Sequence, residues 1–355
     1  TTPNTSDAFF GVAFVLLVLE ACRRTSGWIM VIVISLFLAY AFAGPWLPGQ
    51  WAHRGYDVDG MTGFLYQTLE GIFGTAVDVS STLIILFTIY GAFLQLSGAG
   101  KFFLDWSFAA MGGKHTGAGR TVVLASFLLG GPSGSGVATT VTIGSVAYPM
   151  LKRSGYGPEA AGGLLAAGGL GAIISPPVLG AAAFLIAEFL KISYLDVLLM
   201  AVVPTILYYL SLFLMVEFDA RKFRMPVMAT AAKGELARLT GRYWYHFLSL
   251  ASIVVFMLVG FSPILSVFWA TVVTLAASWL RRETAMGPRK VVAALSDGSL
   301  QMLSVAATCA AAGIIVGVVA KTGLGLKFSG IVIDYAGGSL FLTAVYTALI
   351  VWVIG

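Results

Sequence analysis

Seven residues near the middle of the chain, Gly130-Gly131-Pro132-Ser133-Gly134-Ser135-Gly136, put two hydroxyls into backbone that cannot continue a stable helix. The apolar run resumes near Val137, so the N–H groups and positive dipole end of a second helix point into this segment. Such a helix start holds a carboxylate without Arg or Lys, and neither residue occurs between 121 and 151. Ser133 and Ser135 add hydroxyls that donate or accept. Thr139, Thr140 and Thr142 follow closely and either line the same site or bond their own backbone. A second irregular point is Ser175-Pro176-Pro177. The two prolines lack N–H groups, which strips the carbonyls of Ala172 and Ile173 of helical partners and leaves them as ligands for a hard cation such as Na⁺. Each feature also has a plainer reading, as a tightly packed Gly/Ser kink or an ordinary proline kink.

Other chemistries fit less well. A P-loop needs Gly-Lys-Ser/Thr, but Gly136 is followed by Val137; a nucleophile elbow needs G-x-S-x-G, but Gly131 to Ser135 ends in Ser. Gly131-Pro132-Ser133-Gly134 fits the G-x-S-G of rhomboid intramembrane serine proteases, whose chemistry needs a His at similar depth. His246, at the end of its apolar run, is the one candidate. An ion channel is the other alternative. His53, His115 and His246 are scattered, so no metal centre of histidines is expected.

The elements that position these residues are membrane spans. The chain has 355 residues, 58% hydrophobic and 10% charged, with a mean hydropathy of +0.92. A soluble domain carries roughly 25% charged residues. Candidate spans lie near 8–22, 27–43, 76–97, 158–190, 194–217, 244–259, 263–280 and 299–320, with 102–111 along the interface and 44–59 as a non-cytoplasmic loop. The net charge of +5 comes from short clusters between spans, which argues against nucleic acid and for topology determinants. All of the 21 Lys and Arg except Arg54, Lys191, Lys321 and Lys327 fall on one side if 121–151 enters from the cytoplasm and returns to it. That stretch is therefore expected to be a re-entrant helical hairpin with arms of roughly 10–15 residues. Glu188 is expected to snorkel or pair with Lys191.

Shifting the chain by 225 residues aligns Gly98-Ala99-Gly100 with Gly323-Leu324-Gly325, Phe103 with Phe328, and Gly112-Gly113 with Gly337-Gly338. The spans before them run in opposite directions, the pattern of an inverted-topology repeat. The expected architecture is an all-α polytopic membrane protein with a re-entrant hairpin and a broken helix. Its expected parts are 1–75, scaffold helices and a periplasmic loop; 76–217, the first repeat with hairpin 121–151 and broken helix 158–190; 218–298, a cytoplasmic linker and scaffold helices; and 299–355, the start of a second repeat that stops at its hairpin tip. The sequence thus reads as part of a longer protein, in which 339–355 would be a poorly packed arm or one supported by another segment.

The run GGPSGSGVATTVTIGSVAYPMLKRSGYGPEAAGGLLAAGGLGAIISPPVLGAAAFLIAEFL (130–190) resembles the large membrane subunit of tripartite ATP-independent periplasmic (TRAP) transporters. The family pattern is a G-x-SGS-x-A tip, then IGS, P-M-K-R-x-GY and a G-x-I-x-PP break. LEACRRTSGW (19–28), LEGIFG (69–74), GAFLQLSGAG (91–100) and AAAGIIVGVVAKTGLGLK (310–327) look like the fused permeases of the TAXI subgroup. The resemblance implies an elevator-type symporter in the bacterial inner membrane, taking an organic acid anion from a periplasmic solute-binding protein. It implies small-subunit membrane helices as partners, no cofactor, and coupling to Na⁺ or to H⁺. It places substrate on Ser133, Gly134, Ser135, Gly136, Thr139, Ser175 and Pro176, and Na⁺ on Gly134, Ser135, Ala172 and Ile173. Pro132 before the first tip serine, Ser175 before the double proline, and Thr139-Thr140 where many relatives carry an acid or Asn are departures from the pattern.

Overall fold

Long apolar runs with few charges form helices here because each peptide group must find its partner within its own segment in lipid. The computed structural model describes residues 4–227 and 234–354, and their side chains except at 50, 132, 133 and 351–354. The described residues form helices and connecting turns without strands. In chain order the helices are α1 (Thr5–Ser26), α2 (Trp28–Ala43), α3 (Val58–Gln67), α4 (Thr75–Val79), α5 (Ile85–Leu96), α6 (Ala99–Met111), α7 (Gly117–Ser133), α8 (Gly136–Arg153) and α9 (Pro158–Gly171). They continue as α10 (Ala181–Leu190), α11 (Tyr194–Lys222), α12 (Glu235–Tyr243), α13 (Tyr245–Leu258), α14 (Pro263–Ser278), α15 (Pro288–Thr322), α16 (Leu324–Tyr335) and α17 (Leu340–Ile354). A π-helical turn, Ser80–Ile84, joins α4 to α5. Among the described residues five stretches are long and apolar enough to cross a membrane: Thr5–Ser26, Trp28–Trp46, Thr75–Leu96, Tyr194–Lys222 and Pro288–Thr322.

The chain divides into two compact units, one of 1–78 with 304–355 and one of 79–303. In the first, Val18, Ile34, Met61, Leu65, Ile314 and Val318 build a buried core. Glycine lets its helices approach closely: a Cβ at Gly313 would lie 2.7 Å from the Gly71 carbonyl oxygen. α3 was not expected from sequence; its cap is the Asp57 carboxylate, which accepts from the Gly60 amide at 3.1 Å. No described residue of 340–350 is buried.

In the second unit α7 and α8 pack side by side as a helical hairpin, with α9 against both. Phe103, Val122, Ile143, Leu151, Leu165 and Val216 lie in its core. The hairpin arms have 17 and 18 residues, longer than expected, because α7 begins before the apolar run and continues through the glycines to Ser133. The expected tip of 132–136 shrinks to Gly134 and Ser135. Gly134, at φ 57° in the left-handed region, ends α7 while its amide still reaches the Gly130 carbonyl at 3.1 Å. The expected break in 158–190 is present: α9 stops at Gly171 and α10 begins at Ala181, with a cis Pro176-Pro177 peptide between them. α15 has 35 residues, starting well before the expected 299, at Pro288 in the first helical turn.

Element boundaries follow the 225-residue offset. Gly98 (φ 88°) ends the α5 span and α6 starts at Ala99; Gly323 (φ 69°) ends α15 and α16 starts at Leu324.

Candidate functional site

The hairpin turn and the broken helix, 40 residues apart in sequence, meet in space. The Val178 amide donates to the Gly131 carbonyl oxygen at 3.0 Å. That carbonyl sits in the last turn of α7, where a helix leaves its acceptors without internal donors. Four glycines of the hairpin lie against the break and the end of α9. A Cβ at Gly130 would come within 2.7 Å of the Ala172 Cβ, and one at Gly131 within 2.7 Å of the Pro176 carbonyl oxygen. At Gly134 and Gly136 the carbonyl oxygens of Leu179 and Gly169 would each lie at 3.0 Å. Any side chain at these positions would push the two irregular segments apart.

Ser135 is the N-cap of α8, its Oγ accepting from the Ala138 amide at 3.3 Å. Thr140 Oγ1 donates to the Gly136 carbonyl at 2.8 Å, and Thr139 is buried on α8 with its amide bonded to the Ser135 carbonyl at 3.1 Å. The Ser133 side chain falls outside the described residues, while its backbone closes α7. On the facing side, the Ile173 carbonyl accepts from the Gly180 amide at 2.7 Å, which leaves one lone pair for the cation expected there. No donor among the described residues reaches the Ala172 carbonyl. Pro176 is partly exposed. Ser175 is fully buried; its Oγ donates to the Gly171 carbonyl at 2.5 Å and lies 3.2 Å from the Tyr209 hydroxyl.

Sequence reasoning expected α11 as a span over 194–217 but missed that it braces the break. α11 presents three hydroxyls to the break and a fourth to α9 before it. Tyr194 accepts from the Leu179 amide at 3.1 Å, Thr205 donates to the Ile174 carbonyl at 2.6 Å, Tyr208 donates to the Ala167 carbonyl at 2.6 Å, and Tyr209 meets Ser175. Polar tips on one span, above all the Tyr208-Tyr209 pair, are the signal that could have pointed to it. Broken backbone at membrane depth needs such donors and acceptors, because lipid supplies none.

No charged residue lies between 121 and 151 or between 160 and 187, so the pairing of tip and break offers oxygens and amides without side-chain charge. Among the described residues no group of three His, Cys, Asp or Glu could hold a metal ion. This suits a hard monovalent cation and a carboxylate better than a transition metal. His246 packs among the rings of Phe102, Phe103, Tyr243 and Tyr245 at the first turn of α13. As expected, Lys191 pairs with Glu188.

Helices that span the bilayer, a helical hairpin that stops at a Gly-Ser turn, and a broken helix against it define a polytopic membrane transport protein. Residues 13–355 match the model of the tripartite ATP-independent periplasmic transporter, DctM component, and the chain belongs to that family, the large permeases of the bacterial inner membrane. It is 28% identical over 174 residues to the 2,3-diketo-L-gulonate TRAP transporter large permease protein YiaN of Escherichia coli, covering 49% of this chain and 39% of that protein. It is 31% identical over 159 residues to the C4-dicarboxylate TRAP transporter large permease protein DctM of Pseudomonas aeruginosa, covering 44% and 36%. A third relative, DctM of Rhodobacter capsulatus, is 34% identical over 91 residues, covering 26% and 21%. The matches thus span well under two thirds of these relatives' own lengths.

Proposed function

We propose that this chain forms the substrate- and ion-binding part of a permease that takes up an organic acid anion by symport with Na⁺, or with H⁺. The single observation that carries the reading is the direct bond between the two irregular segments, Val178 amide to Gly131 carbonyl, with glycine-mediated contact on either side. In this proposal the start of α8 receives the carboxylate at Ser133, Gly134, Ser135 and Gly136, with Thr139, Ser175 and Pro176 shaping the site. The coupling ion takes backbone oxygens of Ala172 and Ile173 together with Gly134 and Ser135. The organic acid class fits a site with amide donors and no acidic side chain, and is compatible with the dicarboxylate named for the Pseudomonas aeruginosa relative.

The partners proposed are a periplasmic solute-binding protein that delivers the anion and small-subunit membrane helices. The matching helix boundaries at Ala99 and Leu324 support an inverted repeat, and with it an elevator-type movement. Uptake into proteoliposomes by the complete transporter, under imposed Na⁺ or H⁺ gradients, tests the function. Accumulation that follows neither gradient, or fails to saturate as in a channel, would count against symport.

A further inference from the structure

A cavity of about 840 Å³ lies apart from the transport site, and none of its lining residues belongs to the tip or the break. Its walls are α6, α12, the start of α13 and the turn at 283–284. α12 is fixed to α6 by Trp106 Nε1, which donates to Thr240 Oγ1 at 2.9 Å. Three basic residues, Lys101, Arg238 and Arg242, face three acidic ones, Asp105, Glu235 and Glu283. Arg238 pairs with Glu235 at 2.6 Å, and Arg242 with Glu283 at 2.7 Å. Lys101 and Asp105 make no ion pair among the described residues. They stand one helical turn apart on α6 and face the cavity. The surrounding wall raises the Asp105 carboxyl above its ordinary range, with Lys101 pulling the other way. His246, 1% exposed, also lines the cavity, and its buried Nε2 has no hydrogen-bond partner among the described residues. Phe102, Phe108, Ala109 and Leu239 supply apolar wall, and Tyr243 and Thr284 add hydroxyls.

By the positive-inside distribution this cavity lies at the cytoplasmic membrane surface, beside the basic clusters at 221–242 and 281–290. A bare anion is a poor match for three charges of each sign. A zwitterion with a lipid tail matches both the paired signs and the apolar wall. We propose that the cavity seats the headgroup of an aminophospholipid from the cytoplasmic leaflet, its phosphate on Lys101, its ammonium on Asp105, and its chains along Phe108 and Leu239. The primary ammonium donates hydrogen bonds to Asp105 that a quaternary ammonium cannot make. The site is separate from the transport reading, and either stands without the other.

The test is lipid retention by the intact purified transporter, measured by native mass spectrometry after exchange into phosphatidylethanolamine, phosphatidylcholine or phosphatidylglycerol. The wild type is expected to retain phosphatidylethanolamine roughly tenfold better than phosphatidylcholine, the size of one charge-assisted hydrogen bond. Asp105→Asn should erase that preference, and Lys101→Gln should weaken retention of every phospholipid. Should the variants not fold, a headgroup-photoreactive phosphatidylethanolamine on the wild type serves instead, with crosslinks expected on α6 and α12. Equal retention of the ethanolamine and choline lipids, crosslinks confined to other helices, or displacement of the lipid by inorganic phosphate alone would each overturn the proposal.

Discussion

The Val178 amide and the Gly131 carbonyl oxygen stand 3.0 Å apart, so the last turn of α7 is bonded directly to the residue that follows the double proline. Gly131 permits this approach because it has no Cβ; one would lie 2.7 Å from the Pro176 carbonyl oxygen. Gly131→Ala should therefore cost about 1–3 kcal/mol through overpacking against backbone that cannot step aside. Gly162→Ala, at a helical glycine with nothing within 4 Å, should be neutral or slightly stabilising. Thermal unfolding of the purified transporter checks the pair. An equal effect of the two substitutions would show that the close approach carries no energy.

The bracing by α11 gives a second prediction. Ser175→Ala and Tyr209→Phe each remove one member of a buried hydroxyl contact, at about 1 kcal/mol apiece. Because the two hydroxyls touch, the double variant should lose less than the two single losses added together, by at least about 0.5 kcal/mol. A double-mutant cycle on unfolding measures this, and strict additivity would mean that the contact contributes nothing. If Ser175 also meets substrate, its alanine variant raises KM while Tyr209→Phe changes stability alone.

Topology gives a third. Cysteines at Lys114→Cys and Lys152→Cys flank the hairpin and should react with an impermeant thiol reagent from the same, cytoplasmic, side. Lys191→Cys should react from the opposite side. Labelling of 114 and 152 from opposite faces would make 121–151 a single crossing and invert every later loop.

Much of this was legible in the sequence because its two strongest signals are backbone signals. The Gly/Ser run and the double proline announce breaks in the helices, and charge clusters set the expected sides. The extent of the turn was misjudged for a tertiary reason. α7 runs on to Ser133 because the Gly131 carbonyl finds the Val178 amide and Gly134 supplies a left-handed cap, neither of which local propensity reveals. α3 and α12 were missed because they are short, with 10 and 9 residues, and lie outside the long apolar runs. The hydroxyls of Tyr194, Thr205, Tyr208 and Tyr209 are unremarkable in a list of span residues. Their purpose emerges only once α11 lies beside the break.

The most direct test of the central claim, that tip and break together form an ion-coupled binding site, is Na⁺- and H⁺-driven uptake by the intact transporter in proteoliposomes, with Pro176→Ala and Pro177→Ala introduced together. Restoring both N–H groups allows the helix to close over the oxygens of Ala172 and Ile173. The account predicts that the double variant still inserts, yet loses gradient-dependent accumulation. Undiminished uptake, with the same dependence on the coupling ion, would contradict it.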